Sequence, residues 1–244
     1  MNTIFLDGQY FKVNLPIINS FAPGHFKAKG VFETMLGIDG VVLDASLHLK
    51  RLCLGLKAIG IKPPTINPLM LTEVYHRNLY RMARVRLLVW LDSQQVHVMV
   101  TVLPYKFPAQ KAYRVCLIKT KSLKGKFQAY VKSLDYEMYA KAFAQAQAKG
   151  FDEALLVNRL GFIFEASRSN IFWVKDDVLY TPPLISGCLN GITRQKVIKE
   201  AGRLQIRVKE VGLTAEILKN ADSAFLTNSL AGIKAIDLSE IKIA

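Results

Sequence analysis

The chain has 244 residues, 51% of them apolar and 21% charged, which suffices for a substantial core and excludes a disordered or collagen-like polymer. Cys53, Cys116 and Cys188 stand far apart with no CxxC spacing, which argues against a disulfide framework and a zinc site. No stretch reaches the roughly 18 uninterrupted apolar residues of a membrane span, and MNTIFLDGQYF lacks a signal peptide's basic start, so a cytoplasmic protein with no membrane partner is expected.

Asp7-Gly8 between two apolar runs predicts a hairpin over residues 3–13, and Asp39-Gly40 predicts a second one between residues 31–38 and 41–43. Residues 45–59 read as a helix whose stripe is Leu47, Leu54 and Ala58, widened by Leu49, Leu52 and Leu56, with Gly60 as its stop. Pro63-Pro64 and Pro68 punctuate a turn, after which residues 69–82 read as a second helix. RVRLLVWL and VHVMVTVLP then predict two long strands joined at Asp92-Ser93-Gln94. The proline-bearing tract after residue 104 reads as a linker. It divides a small N-terminal α/β domain, 1–108, from a larger mixed α/β domain, 109–244, and the fold class is α/β (α+β).

The second domain opens on the strand YRVCLIKT and a lysine-rich loop. A helix over 133–149 follows, with Asp135 and Glu137 early, Gly150 at its end, and a stripe of Leu134, Met138, Ala142 and Ala146. Strands are predicted near 154–158, 162–166, 170–175 and 178–181, then the helix ITRQKVIKEA after Gly191. The strand IRVKEV, the helix TAEILKNA and the strand SAFLTN complete the alternation.

The net charge of +14 raises the question of nucleic acid. Lys119, Lys121, Lys124, Lys126 and Lys132, with Phe127 and Tyr130 interleaved, form the densest basic patch. It reads either as a single-strand surface or as a solvated face that attracts small anions. The basic residues are spread along the whole chain, which favours the second reading.

The runs FETM, LHLKRL, VKSLDY, DEALLVN, FEASRSNIF, YTPPL, NGITRQ and FLTNSLAGI resemble the class IV aminotransferase family, the fold-type IV pyridoxal phosphate enzymes. That family includes branched-chain and D-amino acid aminotransferases and 4-amino-4-deoxychorismate lyase. The resemblance implies that Lys132 carries pyridoxal 5′-phosphate as a Schiff base, which requires a lysine that loses its proton near neutral pH. It implies that Glu165 faces the cofactor's pyridine nitrogen and keeps it protonated, so that the ring can act as an electron sink. For the phosphate it implies Ile192 and Thr193 at a helix N-terminus, Arg51 in LHLKRL and Ser229 in TNSL. For the substrate it implies Thr34 in FET and Arg86 in RVRL, a strand arginine suited to a carboxylate. Taken without the resemblance, Lys132 is one of 33 basic residues, Glu165 is an edge glutamate, Gly-Ile-Thr is a helix cap, and Arg86 is an outward arginine paired with Arg84.

Two departures from the family pattern fall on the substrate side. Phe26-Lys27-Ala28-Lys29-Gly30 stands where members carry a Tyr-Gly-Asp-Gly-like run, and the strand after Arg86 turns at Asp92-Ser93 without the usual glycine-rich loop. VKSLDY and TNSLAGI are closest to the lyase branch. The resemblance therefore implies a lyase that converts 4-amino-4-deoxychorismate to 4-aminobenzoate, a folate precursor, and pyruvate, with Lys132 moving the protons. An aminotransferase acting on branched-chain or D-amino acids is the alternative, and an inactive member or basic nucleic-acid binding protein is a further one. The implied partners are a small anionic substrate and, from resemblance alone, a second copy of the chain in a homodimer.

Overall fold

The computed structural model describes residues 1–109, 111–120 and 130–243, so Lys121, Lys124, Lys126 and Phe127 of the expected basic patch lie outside the described residues. The chain divides into two compact units. One is Met1–Phe107 with Tyr130–Glu137; the other is made of the described residues of Pro108–Ala129 and Met138–Ala244.

In the first unit, β1 (Asn2–Leu6) and β2 (Gln9–Val13) are joined by Asp7 and Gly8 at φ 46° and 92°, the left-handed values that a tight hairpin needs. After the short helix α1 (Leu15–Ser20), β3 (Lys29–Ile38) and β4 (Val41–Val42) repeat the device with Asp39 and Gly40. Helices α2 (Ala45–Ala58) and α3 (Pro68–His76) precede the long hairpin of β5 (Met82–Asp92) and β6 (Gln95–Pro104). All six strands form one antiparallel sheet in the order β2-β1-β6-β5-β3-β4.

Side chains alternate across a strand, so register assigns the two faces of this sheet. Ala83, Val85, Leu87 and Val89 of β5, with Val31 and Met35 of β3, are sealed against Leu52, Leu56, Leu71 and Val74 of the helices. On the opposite face the ladder runs Leu36, Arg84, Leu103; then Thr34, Arg86, Thr101; then Phe32, Leu88, Met99.

Three sequence expectations are corrected here. Leu47 and Leu54 of α2 are exposed, and the buried residues are His48, Arg51, Leu52, Gly55 and Leu56. The helix has turned by part of a revolution because His48 and Arg51 find a buried acid. Helix α3 stops at His76, well short of Met82. Asn78 exchanges hydrogen bonds with the backbone of Thr3 in β1 and donates a further one to the Val74 carbonyl, which ends the helix in favour of a long-range contact. Residues 133–136, expected as helix, lie ahead of it, and residues 132–134 run along the edge of β3. The Phe32 amide donates to the Lys132 carbonyl (2.9 Å), and the Leu134 amide donates to the Gly30 carbonyl (3.0 Å).

The second unit contains β7 (Val115–Lys119), then α4 (Glu137–Ala148), β8 (Glu153–Val157), β9 (Ile163–Ala166), β10 (Asn170–Lys175) and β11 (Val178–Thr181). These are followed by α5 (Ile192–Arg203), β12 (Val208–Glu210), α6 (Ala215–Lys219), β13 (Ser223–Asn228), β14 (Gly232–Ala235) and β15 (Lys242–Ile243). Two sheets result, β12-β11-β10-β13-β14 and β15-β7-β8-β9. The short strands β14 and β15 carry no period that a sequence reading can detect. On α4, Ala142 and Ala146 are buried as expected, whereas Leu134 is buried ahead of the helix in the first unit's cluster with Phe32 and Trp90.

The close approach of residues 130–134 to β3 depends on Gly30. A Cβ there would lie 2.7 Å from the Trp90 Cβ, 2.8 Å from Leu134 Cδ1, and against the Val89 carbonyl oxygen. Gly30→Ala is therefore expected to destabilise the protein by about 1–3 kcal/mol through overpacking, read as a lower urea midpoint at unchanged m-value.

Candidate active site

Between β3 and α2 lies a buried ion cluster. Glu33 receives Arg51 in bidentate fashion, Nε at 2.8 Å and Nη2 at 2.6 Å, and His48 Nδ1 lies 2.6 Å from Oε2. A carboxylate accepts only, so Nδ1 is the donor, and the far ring nitrogen, Nε2, is sealed without a hydrogen-bond partner among the described residues. Burial alone would raise the Glu33 pKa. The Arg51 charge and the hydrogen bonds from His48 and Arg51 outweigh it and hold the group down to about 2. His48 and Arg51 stand one helical turn apart on the face of α2 that meets β3, which is why a three-residue spacing brings both to one acid.

Lys132, Thr34 and Arg86 gather on the other face of the same sheet. The Lys132 Nζ sits 4.7 Å from the centre of the Phe32 ring and 5.4 Å from that of Tyr136. Arg86 pairs across the sheet with Thr34 and Thr101, and its guanidinium carbon lies 5.8 Å from the Phe32 ring centre. The Nε of Arg86 is shut off from water and has no hydrogen-bond partner among the described residues. Burial and the neighbouring Arg84 charge push the Arg86 pKa down to about 9, with only Tyr136 acting the other way.

In the second unit, Glu165 is buried at the end of β9. Its Oε1 accepts from the Tyr139 hydroxyl and its Oε2 from the Leu189 amide, both at 2.9 Å. Helix α5 opens at Gly191 with no side chain capping it, which leaves the first-turn amides of Ile192 and Thr193 available to an anion. Gly191 is required because a Cβ there would collide with Asn170 Oδ1, and Asn170 in turn donates to the Leu189 carbonyl (2.7 Å). Thr227 lies opposite Asn170 on β13, its side chain on the same face, and its buried Oγ1 has no hydrogen-bond partner among the described residues. An uncapped helix start beside an unsatisfied buried hydroxyl fits the phosphate of the expected cofactor. Ser229 is partly buried in the β13–β14 turn, which Asn228 organises by accepting from the Leu230 and Ala231 amides.

The expected residues thus fall into local groups: Lys132, Thr34 and Arg86 on one face of a sheet; Arg51 on the opposite face; and Glu165, Ile192, Thr193 and Ser229 in the second unit. Sequence reasoning passed over Glu33, His48, Tyr139, Asn170 and Thr227. It also found no acid for the histidines, whereas His48 meets Glu33 and His97 meets Asp7 at 2.6 Å. The one available signal was the run of His48 and Arg51 on a helix that follows an acid-bearing strand. In the unusual 26–30 segment, Phe26 meets Trp90 edge-on at 5.2 Å, and His97 stacks on the same indole at 5.1 Å.

The model of the family described as amino-transferase class IV matches residues 30–238. A Methanocaldococcus jannaschii protein provisionally named a branched-chain-amino-acid aminotransferase is 32% identical over 94% of this chain and 85% of its own. The aminodeoxychorismate lyase of Bacillus subtilis is 29% identical over 94% of this chain and 84% of its own. Among solved structures, a T.th. branched-chain amino acid aminotransferase complexed with N-(5′-phosphopyridoxyl)-L-glutamate superposes with a TM-score of 0.81. It is 25% identical, covering 99% of this chain and 85% of that one.

Glu33 generates a pH prediction. Its pKa is about 2 in the folded protein against an ordinary 4.5, so the unfolded chain takes up this proton first as pH falls. The stabilisation is full above the ordinary value and is lost as pH drops through about 2. Glu33→Gln is expected to cost about 3–5 kcal/mol at neutral pH and to flatten the acid limb of the stability profile, measured by urea unfolding over a pH series.

Proposed function

Because the chain belongs to the class IV aminotransferase family and is thus a pyridoxal 5′-phosphate enzyme, we propose that it is a lyase that converts 4-amino-4-deoxychorismate to 4-aminobenzoate and pyruvate. The observation that carries this reading is the placement of Arg86, a guanidinium whose sealed Nε has no hydrogen-bond partner among the described residues, on the same sheet face as the Lys132 side chain. A guanidinium that can meet a carboxylate, beside a lysine that can carry a proton, is what a reaction at an amine-bearing carbon of an anionic substrate requires.

When bound, pyridoxal phosphate supplies the electron sink that makes the proton on the amine-bearing carbon removable. Glu165, a buried carboxylate oriented by Tyr139 and the Leu189 amide, would face the pyridine nitrogen and keep it protonated. In the second unit the first-turn amides of Ile192 and Thr193 and the Thr227 and Ser229 hydroxyls would hold the phosphate; Arg51, held in place by Glu33 in the first unit, is the further phosphate residue that the family resemblance implies. Lys132, its Nζ over the rings of Phe32 and Tyr136, takes the proton from the amine-bearing carbon and returns one to the departing enolpyruvyl group. As the carbon–oxygen bond to that group breaks, the ring becomes aromatic. Thr34, beside Arg86 in the ladder, offers a hydroxyl to the same anionic group.

A second reading, an aminotransferase, is favoured by the M. jannaschii relative at 32% identity. The two readings separate on supplied substrates. Release of pyruvate and 4-aminobenzoate from aminodeoxychorismate is expected, and amino-group exchange between amino acids and 2-oxoglutarate without that release would overturn the lyase. Lys132→Ala is expected to lower turnover by about 10²–10⁴-fold and to remove the visible absorbance of the lysine-bound cofactor, read by spectrophotometry of the purified variant.

A further inference from the structure

Helix α4 rests on an apolar patch, where Ala142 and Ala146 are sealed in one cluster with Leu156 of β8 and Phe164 of β9. Tyr139, one turn ahead of Ala142, packs on that cluster, and its hydroxyl donates to Glu165 Oε1 at 2.9 Å. Glu165 is buried between the equally buried Phe164 and Ala166, and its Oε2 accepts from the Leu189 amide, also at 2.9 Å. The two donors come from different elements. The amide belongs to the backbone of the segment ahead of α5, which Asn170 holds by donating to the Leu189 carbonyl at 2.7 Å, and almost any residue at position 189 would supply it. The hydroxyl exists only because position 139 is a tyrosine.

Packing alone does not account for that residue. A phenylalanine would cover the same patch, and Tyr139 is only partly buried, a setting in which a packing tyrosine ordinarily keeps its hydroxyl in water. Here the hydroxyl meets a buried acid instead. The last torsion of a glutamate has a broad preference, so what the two oxygens meet sets the plane of the carboxylate. Donors on separate elements that grip Oε1 and Oε2 fix that plane. For an acid that holds a proton on a ring nitrogen the plane matters, because a hydrogen bond weakens steeply once donor and acceptor are misaligned.

We infer that Tyr139 is a positioning residue for the cofactor, whose hydroxyl fixes the Glu165 carboxylate in the plane that keeps the pyridine nitrogen protonated. The inference rests on the proposed placement of Glu165 against that nitrogen. It does not depend on the choice between lyase and aminotransferase, since either reaction draws on the protonated ring as its electron sink.

The test loads the full-length protein with pyridoxal phosphate carrying nitrogen-15 in its ring and reads the ring-nitrogen resonance at neutral pH, where protonated and unprotonated nitrogens lie far apart. Wild type is expected at the protonated position and Glu165→Gln at the unprotonated one. Tyr139→Phe is expected to move the resonance from the wild-type position towards that of Glu165→Gln, and to bind the cofactor about 3–10-fold more weakly in equilibrium dialysis. A loaded Tyr139→Phe protein whose resonance coincides with wild type refutes the inference, even where its urea midpoint is lowered, since that is the pattern of a tyrosine kept for packing. A 3-fluorotyrosine at position 139 keeps the size and hydroxyl of the native residue and covers the case of a Tyr139→Phe protein that does not fold. Its fluorine resonance is expected to shift on loading with cofactor, and a resonance indifferent to the cofactor refutes the inference. A wild-type ring nitrogen at the unprotonated position removes the placement of Glu165 and the inference with it, whereas a failure to release 4-aminobenzoate overturns the lyase reading and leaves both standing.

Discussion

The first unit depends on one buried carboxylate. Glu33 projects from β3 into the layer between sheet and helix, a position where an unpaired charge would cost several kcal/mol. Arg51 and His48 meet it from adjacent turns of α2, and the three groups fix the helix's rotation, since no other rotation brings both donors to the acid. The consequence reaches the surface: with His48 and Arg51 turned inward, Leu47 and Leu54 are left exposed. Hydrophobic burial supplies most of the driving force through Leu52, Leu56, Val31 and Met35, and the ion cluster selects the orientation in which that burial occurs.

The six-stranded sheet then separates two tasks by the pleat alone. One face is closed by α2 and α3 and is apolar except for the Glu33 cluster. The other carries an island of Thr34, Arg86, Thr101 and Arg84 bordered by Phe32, Leu88 and Trp90. A shift of register by one residue would exchange the two sets, burying two arginines in the core, so the hairpin of β5 and β6 and its pairing with β3 are tightly specified. The edge contact of residues 130–134 with β3 brings Lys132 to the polar face, and Gly30 permits it by leaving space where a side chain would strike Trp90 and Leu134.

In the second unit the corresponding constraint is Asn170. It fills the space that a Cβ on Gly191 would need, holds the Leu189 carbonyl, and pairs across β10 and β13 with Thr227. Leu189 in turn donates its amide to Glu165. One amide side chain therefore links the start of α5 to the acid on β9. Glu153 anchors the turn between β9 and β10: buried, it accepts from the Ser167 hydroxyl and the Ala154 amide and meets Arg168 Nε at 3.3 Å.

By itself the sequence determined the local elements. Asp-Gly pairs demanded left-handed turns at residues 7–8 and 39–40, alternating valines made β6 a strand, and the Gly191 start marked α5. The quoted motifs also carried the family, because their order along the chain does not depend on contacts. Tertiary structure alone decided which face of α2 is buried, where α3 stops, and that residues 132–134 run beside a strand, with the helix starting only after them. Each was settled by a partner far away in sequence, Glu33 for Arg51, Thr3 for Asn78 and Gly30 for Leu134. A rule that counts apolar residues along one segment cannot register a polar group whose burial is made favourable by an ion pair or hydrogen bond formed only after the chain has closed on itself.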